Sequence, residues 1–93
     1  MENNATEKVL RCKASTDANK LAGSIYSAYQ GNPDAEVHLR VIGAGALNQA
    51  VKGVIISQRF FAKKGLFVSL FPSFQDTDKE MTAISLKLIF GKI

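Results

Sequence analysis

The chain has 93 residues, 46% hydrophobic and 22% charged: enough for one small domain with a modest core, and too apolar for a disordered chain. Twelve lysines and arginines against eight acidic residues give a net charge of +4 and a pI near 9.4, which permits contact with a polyanion without demanding it. A single cysteine, Cys12, excludes an internal disulfide and favours a reducing compartment, and the lack of any run of about 18 apolar residues excludes a helical membrane span.

The start, MENNATEK, lacks the apolar centre of a signal peptide, so a cytoplasmic location is expected. Residues 1–6 are polar and read as a disordered tail, with a single domain over 7–93. EKVLRCKA then alternates, Leu10, Cys12 and Ala14 on one face and Val9, Arg11 and Lys13 on the other, which predicts a strand over 7–14. Ser15, Thr16 and Asp17 offer helix caps, and Leu21, Ala22, Ile25, Ala28 and Tyr29 recur at helical spacing until Gly31-Asn32-Pro33 stops the helix. EVHLRVI alternates as a second strand, with Val37, Leu39 and Val41 opposite Glu36, His38 and Arg40.

A glycine turn at Gly43-Ala44-Gly45 leads into a longer helix over about 46–62. A third strand begins near Gly65, and Pro72 within it marks an edge strand or a bulge. The polar run Gln75-Asp-Thr-Asp-Lys-Glu80 reads as a hairpin tip, followed by a fourth strand that turns Ile84, Leu86, Leu88 and Phe90 inward. The order β-α-β-α-β-β predicts a two-layer α/β sandwich.

The second helix is apolar on two sides. Leu47, Ala50, Val51, Val54 and Phe61 form the stripe expected against the sheet, while Ile56 and Phe60 lie nearly opposite, beside Gly53 and Gln49. Two uses fit that second stripe: packing on the first helix, or a self-association face of Gln49, Gly53, Ile56 and Phe60 on which Gly53 allows close approach of a second backbone. The homodimer is the reading adopted.

Gly43-x-Gly45 is half of a dinucleotide fingerprint. No third glycine follows at the required spacing, no acidic residue stands about 20 positions on, and no Gly-Lys-Ser/Thr follows, so neither a dinucleotide site nor a P-loop is predicted. What remains is a tight strand-to-helix turn, or a helix start whose amides accept an anion such as a backbone phosphate.

IGAGALNQAVKGVIISQRF, with the upstream KVLRCKASTDANKLAG, closely resembles the stage V sporulation protein S family over about residues 7–91. That family in turn is similar to Alba, a chromatin protein with the same element order and a glycine turn followed by an "AI..AV" helix ending in Arg-Phe, echoed here by Ala46-Leu47, Ala50-Val51 and Arg59-Phe60. The resemblance implies an Alba-like four-stranded mixed sheet with two helices on one face, a homodimer, and a non-enzymatic regulatory or structural protein that binds DNA or RNA. The alternative is a protein–protein adaptor on the same scaffold. Ile42 and Ala44 stand where Alba carries arginines, and the hairpin tip carries Asp76, Asp78 and Glu80, which repel an anionic backbone.

Two surfaces are candidates for a polyanion. Lys13, Lys20, Asn48, Lys52 and Arg59, with the amides at Gly43 and Gly45, make a modest phosphate site along the helix edge. The outer sheet face gathers Arg11, Lys13, His38, Arg40 and Lys87 with Phe67 and Phe71, a mixture suited to stacked bases or to a protein partner. His38 and Cys12 alternate to opposite faces, and no nucleophile has a base at useful spacing. No catalytic residue, metal site, cofactor or small-molecule substrate is therefore assigned.

Overall fold

The computed structural model describes residues 7–75 and 83–93. The elements run β1 (Glu7–Cys12), α1 (Ala18–Gly31), β2 (Glu36–Val41), α2 (Ala44–Ala62), β3 (Leu66–Gln75) and β4 (Ala83–Lys92). The strands form one mixed sheet in the order β1-β2-β4-β3: β1 pairs parallel with β2, and β4 pairs antiparallel with both β2 and β3. The α/β sandwich is the one expected. The tail at 1–6 and the hairpin tip from residue 76 lie outside the described residues.

Local chemistry sets each boundary. β1 stops at Cys12, short of Ala14, because the chain turns at once: the Lys13 amide donates to Thr16 Oγ1 at 2.8 Å and the Thr16 amide to the Lys13 carbonyl at 3.0 Å. Asp17 caps α1, its Oδ1 accepting from the Asn19 and Lys20 amides at 2.8 and 3.1 Å. At the other end of α1, Lys8 Nζ donates to the Ala28 carbonyl at 3.1 Å, a cation at the negative pole of the helix. α2 begins at Ala44, two residues earlier than the pattern suggests, since Gly43 reaches φ 96° and serves as its N-cap.

α2 sits in a corner, which accounts for its two apolar sides. Ala46, Ala50, Val54, Ser57 and Phe61 are buried, and Ser57 returns its hydroxyl to the Val54 carbonyl at 2.7 Å. The second side meets α1: a Cβ on Gly53 would lie 2.6 Å from Leu21 Cδ2, and Phe60 stacks on Tyr26 with centroids 5.5 Å apart. Val51, expected in the core, is exposed, because the buried sector runs from the sheet round to α1 and leaves Val51 on the outer side. An aromatic cluster of Tyr26, Tyr29, Phe61 and Phe90 closes the core, each linked pair 4.7–5.3 Å between centroids.

β3 is an edge strand, as Pro72 suggests, and its ladder to β4 runs from Leu66 to Gln75 in continuous register. Gln58 of α2 covers part of that edge. Its Nε2 donates to the Val68 carbonyl at 2.6 Å and its Oε1 accepts from the Val68 amide at 3.0 Å. Pro72 has the same strand parity as Val68, so its missing N–H falls on the side away from β4, where no ladder bond is lost.

Candidate nucleic-acid interface

β1 and β2 are parallel and in register to Cys12↔Val41, so their carboxyl ends leave the sheet side by side. Here Arg11, Cys12, Lys13, Ala14, Arg40 and Ile42 line a cleft of about 300 Å³. Arg11 and Arg40 are themselves register partners and point to the same face. Among the described residues the ion pairs involve His38, Lys87, Glu7 and Glu36, leaving all three cations of the cleft without a carboxylate partner. Such a group keeps its charge available to an anion.

The start of α2 adjoins the cleft through Ile42. A Cβ on Gly45 would meet Ala14 Cβ at 2.8 Å, so glycine is needed there for the α2 start to pack on the β1–α1 turn. Gln49 Nε2 donates to the Thr16 carbonyl at 2.8 Å and holds the same turn from the helix side. Gly43 offers no side-chain cap, and the first helical bond runs from the Leu47 amide to the Gly43 carbonyl at 3.1 Å. The amides of Ala44, Gly45 and Ala46 therefore precede the hydrogen-bonded ladder, at the positive pole of the helix.

The exposed stripe of α2 carries Asn48, Lys52 and Arg59 together with Val51 and Ile55, the last 61% exposed. Lys20 is exposed on α1. Of the residues expected to contact phosphate, Lys13 lies in the cleft, Gly43 and Gly45 shape its neighbouring turn, and Asn48, Lys52 and Arg59 share the α2 stripe. Of those expected to self-associate, Gln49, Gly53 and Phe60 pack on the β1–α1 turn and α1, and Ile56 is half-buried. Gly53 lets Leu21 of α1 approach α2 closely. The large apolar side chains that α2 does expose are Val51 and Ile55.

Alternation places Arg11 and Arg40 on the outer sheet face, and the structure adds what alternation cannot give: they converge with Lys13 on one cleft. His38 likewise has company that spacing in the sequence does not reveal. Its Nε2 lies 3.3 Å from Glu7 Oε2 and 3.1 Å from Glu36 Oε1, and its Nδ1 lies 3.2 Å from Ser85 Oγ. The hydrogen bond from His38, then the charge of Lys87, holds the Glu36 carboxyl below its ordinary pKa. Burial pushes the Cys12 thiol up, which makes it a poor nucleophile.

The same outer face bears Phe67 and Phe71, 40% and 63% exposed, beside the half-exposed Ile89. The Phe67 ring lies over Gly91, filling the place of the missing side chain. No helix among the described residues is long and apolar enough to cross a membrane. Compared with known families, residues 8–90 match the family model described as Stage V sporulation protein S.

Proposed function

The chain belongs to the stage V sporulation protein S family, and from that membership and the cationic cleft we propose a sporulation-related, non-enzymatic protein that binds nucleic acid as a homodimer. The observation that carries the reading is the convergence of Arg11, Lys13 and Arg40, unpaired among the described residues, beside an α2 start whose leading amides lack helical partners. Guanidinium groups hold phosphate oxygens in bidentate fashion, and helix-start amides add neutral donors. Lys52 and Arg59 on the α2 stripe extend the positive surface, with Lys20 on α1 as a further cation. The homodimer is assigned to the exposed apolar pair Val51 and Ile55, with Asn48, Lys52 and Arg59 at its rim. Burying both aliphatic side chains would contribute roughly 1.5–3 kcal/mol each.

Fluorescence anisotropy with labelled duplex DNA and single-stranded RNA, read across a salt series, tests the reading. Binding is expected to weaken steeply with salt. Arg11→Ala with Arg40→Ala is expected to lower the duplex log–log slope by about 0.9 for each phosphate left unneutralised. Absence of binding at low salt, or an unchanged slope in the double variant, refutes it. Light scattering on Val51→Asp with Ile55→Asp is expected to report a folded monomer.

A protein–protein adaptor is the second reading. It is favoured by the exposed Phe67, Phe71 and Phe74, since accessible aromatics are characteristic of interface centres.

A further inference from the structure

We propose that Glu7, Glu36 and His38 form a binding site for a divalent transition-metal cation of the zinc type on the open face of the sheet. The ligand atoms of the three residues lie within 4.8 Å of one another. His38 Nε2 stands 3.3 Å from Glu7 Oε2 and 3.1 Å from Glu36 Oε1. A tetrahedral zinc ion with bonds of about 2.0–2.2 Å separates its ligand atoms by roughly 3.3–3.6 Å, so a cation fits among these atoms with small side-chain adjustments.

The placement of the imidazole supports the same conclusion. Nε2 lies between two carboxylate oxygens, the place that a cation shared by the three groups would take. Ser85 Oγ, 3.2 Å from Nδ1, is placed to accept from Nδ1–H. That tautomer leaves Nε2 as the free donor, which is how an outer hydrogen bond orients a ligating histidine.

All three ligands come from paired strands rather than loops: Glu7 is the register partner of Glu36, and His38 that of Val9. Lys87 Nζ, 3.7 Å away, engages the other oxygen of Glu36, Oε2, and leaves Oε1 to the site. Two carboxylates balance the dication, and Lys87 and Arg40 are the cations that face the site from the neighbouring residues. The mixture of one imidazole with carboxylates suits zinc better than calcium or magnesium, which take oxygen alone. A fourth position opens on a cavity of about 200 Å³ bordered by Ser73, Phe74 and Gln75, where water completes the tetrahedron.

His38 is the sole histidine of the chain, which makes the test clean on protein free of any histidine tag. Zinc chloride is titrated by calorimetry, and the His38 ring is followed by long-range proton–nitrogen correlation spectra. Saturable binding of one zinc per chain is expected, with the Nε2 resonance moving to a metal-bound position and Nδ1 remaining protonated. Glu7→Gln, Glu36→Gln and His38→Gln are each expected to weaken binding about tenfold or more. Three results overturn the proposal: no saturable binding up to millimolar zinc, affinity unchanged in folded His38→Gln, or a wild-type ring protonated on both nitrogens with zinc present. The wild-type ring spectrum decides the matter even if a variant fails to fold.

Discussion

On the covered face of the sheet Phe61 is wholly buried, packed with Tyr26, Tyr29 and Phe90, whereas on the open face Phe67 and Phe71 keep 40% and 63% of their surface in solvent. Both faces are built from alternating strands, and both receive aromatic side chains. They differ because α1 and α2 both lie on one side. The covered face thus contains the residues that hold the fold together, and the open face holds polar and aromatic groups that folding leaves free for a ligand or a partner. The contrast teaches that residue type does not assign role here; the side of the sheet does.

The sharpest way to break this contrast is a matched pair of truncations. Phe61→Ala is expected to cost about 3–5 kcal/mol in denaturant unfolding, because it removes a fully packed ring from a core that cannot collapse to fill the space. Phe71→Ala, on the open face, is expected to change stability by less than about 0.5 kcal/mol. Comparable losses at the two positions would mean the open face is also structural.

A pair of glycines sharpens it further, with a smaller effect. Gly53→Ala drives a methyl against Leu21, itself locked in the core between α1 and α2, and is expected to cost about 1–3 kcal/mol. Gly91→Ala meets the Phe67 ring more closely still, yet that ring is 40% exposed and can swing into solvent. A smaller loss is expected there, and thermal melts of the two variants decide the ranking.

The smallest expected effect is a pH dependence on the open face. Glu36 has a folded pKa below its ordinary value of 4.5 because His38 and Lys87 favour its charged form. Its contribution to stability is therefore present above about pH 4.5 and is lost as pH falls through the lower, folded value. Glu36→Gln is expected to flatten the melting-temperature profile slightly in that acid window while leaving it unchanged near neutrality. A profile identical to wild type below pH 4.5 would show that the His38 hydrogen bond contributes nothing to folding.

Much of the architecture is legible in the sequence because alternation and helical periodicity are local records of burial. The strands and helices follow from EVHLRVI, from the Leu21–Ile25–Ala28 stripe and from Pro72 at an edge, and the motif around Gly43–Phe60 carries the family resemblance. α2 is legible only in part. Periodicity detects its second apolar side, but nothing local distinguishes an adjoining helix from a second molecule, and Gly53 fits either one. Val51 falls on the wrong side for the same reason: a wheel of residues has no fixed orientation until its neighbours are positioned.

The candidate sites are legible least. Arg11, Lys13 and Arg40 come from two strands and a turn separated by a whole helix, and Glu7, Glu36 and His38 from the same two strands. By itself the sequence determined which side chains each strand turns outward, since a period of two is dictated by the backbone. Only the tertiary structure decided which of them meet, because the parallel register Glu7↔Glu36 through Cys12↔Val41 is set by how α1 crosses over and packs. Charges far apart along the chain acquire a common field only once that register is fixed.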